Sequence, residues 1–190
     1  MKSVKRVFEA EGYTLEVKAN AARPVHSAFV RFRGLLRELG LSPRSSETLS
    51  IKVELDTNPP RGARLETTLI RRYVTLNLSH YDKASMLAGK LHALFARRYT
   101  KGRDLYDLIW FLSDPSWPAP NFDLLNAALA QTNWTGSAIS LHNWREVLLA
   151  RLGRIPWREA AEDVRPFLER EGDLAWFTAE SLRALLRRAR

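Results

Sequence analysis

The stretch "KASMLAGKLHALFARRYTKGRDLYDLIWFL" (Lys83–Leu112) decides the fold. Met86, Leu87, Leu91, Leu94 and Phe95 form one helical stripe, and Leu105, Leu108, Ile109 and Leu112 form a second. Two consecutive amphipathic helices are expected, the second opening near Gly102. Upstream of residue 80 the period is two. "YTLEVKA" (Tyr13–Ala19), "AFVRFRG" (Ala28–Gly34), "LSIKVELDT" (Leu49–Thr57), "LETTLI" (Leu65–Ile70) and "RRYVTLNLS" (Arg71–Ser79) all alternate as strands do. In the second of these, Ala28, Val30 and Phe32 share one face, and Arg31 and Arg33 share the other. The "NPPRGAR" run at Asn58–Arg64 is a turn signal. Downstream, helices are expected at Asn121–Ala130, Asn143–Leu152, Pro156–Asp163, Pro166–Glu171 and Thr178–Arg188, with the two prolines in first turns and Thr178 as an N-cap. The outline is α+β: a β-rich part over residues 1–80 and a helical part over 81–190, packed as one continuous globule.

Composition narrows the function classes. The chain has 190 residues, 45% of them hydrophobic, with six Trp and eight Phe, so it can bury a core. It has no cysteine, which excludes disulfides, thiolate metal sites and a Cys nucleophile. The opening "MKSVKRVFEAEGY" has no apolar core of a secretory signal, and the longest apolar run, Leu105–Leu112, is interrupted by Asp107 and is far too short for a bilayer. A cytoplasmic protein without a membrane partner is expected, and the "NWT" sequon at Asn133 then has no meaning. The formal charge of +9, with a pI near 10.2, favours a polyanionic partner; an Arg-rich genome is the plainer explanation.

Lys90 sits in the middle of the first apolar stripe. A buried, unpaired ammonium is costly, so its head must reach a carboxylate, a ligand anion or water in a cleft. It reads either as a snorkelling lysine at the stripe's edge or as a point charge for phosphate. Asp104 falls at one margin of the second stripe and Asp107 further round, so both can point into one space beside the core. Acids in a first turn also simply favour the helix macrodipole. The cations Arg97, Arg98, Lys101 and Arg103 just ahead can pair with these acids or with a phosphate chain. In "IKVELD", alternation places Lys52, Glu54 and Asp56 on one strand face. Glu-x-Asp there can turn two carboxylates toward one Mg²⁺, although exposed strand faces often look the same. His26, His80, His92 and His142 show no ligand spacing, and neither a Ser-His-Asp order nor a phosphate-binding Gly-rich loop is present.

Taken together, "IKVELDTNPP" and "HYDKASMLAGKLHALFARRYTKGRDLYDLIWFLSD" resemble the AbiEii/AbiGii toxin family of nucleotidyltransferases, most strongly over Ile51–Asp114. The resemblance implies a nucleotidyltransferase-like mixed sheet followed by helices, use of Mg²⁺ and a nucleoside triphosphate, and the toxin half of a bacterial toxin–antitoxin pair. Some relatives modify tRNA ends. It assigns Lys90 as the phosphate-facing lysine and Asp104 and Asp107 as the acids of an Arg-Asp-x-x-Asp element led by Arg103. Lys52 and Glu54 lie in the strand of the third carboxylate. Members also carry a Gly-Gly or Gly-Ser turn and an Asp-x-Asp strand that holds the metal ions. Neither element stands ahead of Ile51. The chain therefore reads as starting after that element, through a misassigned gene start or as a natural remnant, and Glu54 and Asp56 are the candidate substitutes.

Two functions follow. One is nucleotidyl transfer to an RNA or protein hydroxyl, with Lys90, Asp104 and Asp107 catalytic, Lys52, Lys101 and Arg103 on the nucleotide, and Glu54 and Asp56 on the metal. The other is a non-catalytic module that binds nucleotide, RNA or an antitoxin protein. A partial nucleotidyltransferase sheet exposes an edge and an apolar face, so a homodimer is expected.

Overall fold

The computed structural model describes residues 1–188. The chain divides into two compact units, Met1–Pro59 and Pro60–Arg190.

The first unit is a three-stranded antiparallel sheet with a helix on one face. Its order of elements is α1 (Lys2–Ala10), β1 (Leu15–Asn20), β2 (Val25–Arg33), α2 (Leu35–Glu38) and β3 (Thr48–Asp56). The strands lie in the order β1-β2-β3. The alternation expected in β2 is present: Ala28, Val30 and Phe32 are buried, and Arg33 is exposed. Leu15, Val30 and Phe32 form the core, with Val4 and Phe8 of α1 packed on it. The rings of Phe8, Tyr13 and Phe32 meet edge to face at 5.3–6.0 Å. Gly34, at φ +79°, ends β2 and opens α2. Neither α1 nor α2 is among the expected elements, although Val4, Val7 and Phe8 recur at helical spacing in α1. Neither has a side-chain cap, and neither contributes a fully buried residue.

The second unit begins with a hairpin, β4 (Leu65–Arg71) and β5 (Thr75–Tyr81), paired antiparallel. In place of one mixed sheet, the α+β chain thus has two small antiparallel ones. The long alternating run is expected to hold a strand from Arg71; Arg72, Tyr73 and Val74 instead form the turn, and β5 starts at Thr75. Six helices follow: α3 (Lys83–Ala96), α4 (Gly102–Ser113), α5 (Phe122–Gln131), α6 (Trp144–Leu152), α7 (Trp157–Val164) and α8 (Ala179–Arg188). Asp82 caps α3 by accepting from the Ser85 N–H at 2.7 Å. Asn121 caps α5, and its amide also donates to the Gly62 carbonyl at 2.7 Å, tying the approach to the hairpin onto the helices. Thr178 caps α8 as expected, accepting from the Ser181 N–H.

A continuous helix over Pro166–Glu171 is not found. A 3-10 turn at Arg165–Phe167 takes Pro166 in its first positions, the chain turns extended at Leu168, and a second 3-10 segment spans Glu171–Trp176. The Leu168 N–H closes onto Arg165 three residues back, so the i→i−4 ladder never starts. The core of this unit is mostly helical, with Trp117, Ile139, Ile155 and Phe177 added from the connections. Leu87, Leu91, Leu105, Leu108, Leu125, Trp144, Leu148 and Leu182 are all but fully buried. No described helix is long and apolar enough to cross a membrane.

Candidate functional site

The site is built where α3 and α4 run side by side. Leu87, Leu91 and Leu94 turn α3's apolar stripe inward, as its spacing dictates. The buried stripe of α4 is rotated from the expected one. It runs through Asp104, Leu105, Leu108 and Phe111, while Ile109 and Leu112 are only partly buried. Asp104 therefore lies within the stripe, not at its margin. This rotation is enforced at the helix start. Gly102 lies so close to α7 that a β-carbon on it would overlap the Ala160 carbonyl oxygen, and its N–H donates to Asp163 at 2.7 Å.

Lys90 projects from α3 onto both acids of α4. Its Nζ is 3.1 Å from Asp104 Oδ1 and 2.5 Å from Asp107 Oδ2. The second oxygen of Asp104 is held by Arg97 Nη1. Burial pulls the Lys90 ammonium down more than any other single influence. The hydrogen bonds and charges of Asp107 and Asp104 together outweigh it, so its pKa stands above the ordinary lysine value. The two acids differ in access. The Asp104 side chain is 10% exposed and that of Asp107 40%, with Lys90 at 28% between them. Asp104 is a fixed anchor between two cations, whereas Asp107 faces water.

Arg151 of α6 completes the corner. Its Nε donates to the Leu94 carbonyl and its Nη2 to the Arg97 carbonyl, each at 3.0 Å. These are the open carbonyls at the end of α3, so Arg151 fixes the segment that carries Arg97. Neither Arg151 nor Asp163 stands out in the sequence. Their partners are 54 to 61 residues away along the chain, and the visible sign is the glycine at the start of a helix.

The other expected residues have other partners. Lys101 occupies the N-cap position of α4. The Arg103 guanidinium lies over the Phe167 ring, 4.6 Å from its centre. Lys52, Glu54 and Asp56 belong to β3 in the first unit. There Lys52 pairs with Glu54 at 2.7 Å, and Asp56 accepts from the Asn58 N–H at 2.9 Å. An open aromatic groove of about 560 Å³ starts one helical turn from Asp107. Tyr106, Trp110, Phe167, Arg170 and Trp176 are among its lining.

Lys90, Asp104 and Asp107, the residues that carry the sequence resemblance, thus meet between α3 and α4. The family model for the nucleotidyl transferase AbiEii toxin of type IV toxin–antitoxin systems matches residues 1–188. The chain belongs to the AbiEii family. No curated protein and no solved structure gives a significant match. AbiEii membership implies a nucleotidyltransferase-like toxin of a type IV system, with an antitoxin partner and a nucleotide substrate.

Nucleotidyltransferases such as the AbiEii toxins generally use a divalent metal. The candidate acids do not fit one. Each oxygen of Asp104 meets a cation, Asp107 Oδ2 meets Lys90, and Glu54 Oε1 meets Lys52. An ammonium or guanidinium at hydrogen-bond distance repels Mg²⁺ from the same oxygen. Among the described residues, no three of His, Cys, Asp or Glu group together as a cation site.

Proposed function

We propose that this chain is a nucleotide-handling toxin in which Lys90 takes the polyphosphate of a nucleoside triphosphate and Asp107 serves the acceptor, an RNA or protein hydroxyl. The reading is carried by one observation, the Lys90 ammonium bridging Asp104 and Asp107 at the surface of the helical unit. Incoming phosphate oxygens compete with the carboxylates for Lys90. When they win, Asp107 loses its cation and becomes a better proton acceptor. Asp104 stays in place through Arg97 and keeps Lys90 aimed. In the transfer, the acceptor oxygen bonds to the α-phosphorus and its proton goes to Asp107. The bond from the α-phosphorus to the bridging oxygen breaks, and pyrophosphate leaves. Lys101, at the start of α4, adds a cation for the phosphate chain.

A second reading is favoured by the cation-held carboxylates. In it the chain binds nucleotide, RNA or its antitoxin without turnover. Incubation with labelled nucleoside triphosphates, Mg²⁺ and total tRNA separates the two. Label appearing in RNA or protein, and lost in Lys90→Ala, supports transfer. Triphosphate binding that depends on Lys90 without any labelling supports the module. Neither reading is compatible with binding and labelling that ignore Lys90.

A cytoplasmic location and a homodimer complete this reading. The hairpin leaves Leu65, Leu69, Ile70, Leu76 and Leu78 exposed, and self-association would cover them. Light scattering at micromolar concentration tests it; a monomer removes this part.

A further inference from the structure

The outward face of the β1–β2–β3 sheet carries a constellation that the Lys90 cluster does not use. With Ala28, Val30 and Phe32 turned to the core, Ser27, Phe29, Arg31 and Arg33 stand on the opposite side. The strand register aligns Lys18, Phe29 and Lys52 in one row across all three strands. The next row holds Glu16, Arg31 and Ser50, and beyond it Arg33 faces Thr48. The Arg31 guanidinium lies 5.4 Å from the centre of the Phe29 ring and the Lys52 ammonium 5.9 Å. Arg31 and Arg33 share an open hollow of about 510 Å³ with the hydroxyls of Ser45, Ser46, Thr48 and Ser50. A smaller hollow, about 200 Å³, lies toward Lys18, Asn20 and Phe29. Two of the three acids on this face are ion-paired, Glu16 with Arg33 at 2.8 Å and Glu54 with Lys52 at 2.7 Å, and the third, Asp56 at the end of β3, accepts from the Asn58 N–H.

We propose that this face binds a single-stranded nucleic acid, with phosphates on Arg31, Arg33 and Lys18 and an unpaired base stacked on Phe29. A half-buried ring on a flat strand surface, bracketed by cations and bordered by hydroxyl donors, suits a planar base joined to phosphates. A duplex hides its base faces and leaves Phe29 unused. An anionic membrane takes apolar side chains that protrude past the cations, whereas Phe29 is half-buried between Arg31 and Lys52. The site rests on the first unit alone, so it stands or falls apart from the Lys90 reading.

The test titrates the full-length protein into fluorescein-labelled U12 and dT12 and reads anisotropy. Saturable binding to either strand is expected, weakening about 7- to 50-fold between 50 and 200 mM salt if two to four phosphates are neutralised. Phe29→Leu keeps an apolar side chain but removes the stacking face, and weakens binding about tenfold. Ser50→Glu leaves the ring alone and places a carboxylate opposite Arg31; it weakens binding to a similar degree and flattens the salt dependence. Circular dichroism confirms that both variants fold. Arg154→Gln removes one exposed charge from the helical unit and leaves the affinity within twofold. Equal losses in Arg154→Gln, tighter binding of a 12-base-pair duplex, or preferential binding to phosphatidylserine vesicles would each overturn the proposal, as would binding indifferent to Phe29.

Discussion

The Gly102 N–H donates to an Asp163 carboxylate oxygen at 2.7 Å, and the approach of α4 to α7 that permits this bond leaves no room for a side chain at residue 102. An added β-carbon would overlap the Ala160 carbonyl oxygen and meet its carbon at 2.9 Å. Both are backbone atoms, so the two helices must separate. Gly102→Ala is expected to cost about 2–3 kcal/mol, from overpacking and the weakened bond to Asp163. Gly89 is the internal comparison. It lies within α3, where a β-carbon would find no atom within 4 Å, and Gly89→Ala should stabilise by about 0.5–1 kcal/mol. Urea denaturation of the two variants checks the opposed signs.

Asp104 and Asp107 share a lysine but not a role. Asp104 is 10% exposed and holds Arg97 as well as Lys90; Asp107 is 40% exposed. Asp104→Asn leaves two cations facing a neutral amide, and a loss of about 2–3 kcal/mol of stability is expected. Asp107→Asn breaks a more solvated pair and should cost less than about 1 kcal/mol. Triphosphate-dependent labelling should show the reverse order at a temperature where both variants are folded, with Asp107→Asn the more severe. If Asp107→Asn labels at the parent rate while Asp104→Asn does not, the assignment of the two acids is reversed.

Much of this corner is legible in the sequence because the information is local. Asp104 and Asp107 are three residues apart on one helix, and Lys90 interrupts an otherwise apolar stripe, so burial alone demands a counter-charge for it. The two strong periodicities likewise place α3, α4 and the alternating faces of β2. What escapes is set by long-range contact. The rotation of α4 follows from Gly102 against Ala160, 58 residues on, and no periodicity in α4 itself encodes it. Arg103 stands beside the acids on paper, yet its guanidinium lies over Phe167, 64 residues on. The helix expected at Pro166 fails for a local reason. Pro166 is compatible with a first turn of either type, and the extended conformation at Leu168 decides for the shorter one.

The Lys90 ammonium gives the fold a contribution that depends on alkaline pH. Its pKa in the folded protein lies above the unfolded value of about 10.5. A raised pKa means that the folded state binds the proton more tightly, so the stabilisation is fully present below 10.5 and is lost as pH rises through the folded value. Lys90→Met should therefore destabilise at neutral pH, by leaving Asp104 and Asp107 without their shared cation. It should also flatten the decline in melting temperature above pH 10. Parallel melts of parent and variant from pH 8 to 11 measure both effects.

His92 supplies the opposite dependence at the acid end. Its ring is partly buried against α5 and Nε2 lies 3.1 Å from Thr132 Oγ1. Burial, reinforced by the nearby charge of Arg97, holds its pKa below the ordinary value of 6.5. The unfolded chain thus takes up a proton on this ring at a pH where the folded chain has not. The stabilisation is present above 6.5 and is lost as pH falls through the folded pKa. His92→Gln keeps a hydrogen-bonding group near Thr132 but cannot titrate. Its stability between pH 7 and 5 should fall less steeply than that of the parent, in urea denaturation at fixed ionic strength. An NMR titration of the ring in the folded parent gives the same answer directly, since a midpoint at or above 6.5 would leave no such acid-linked stabilisation for His92 to contribute.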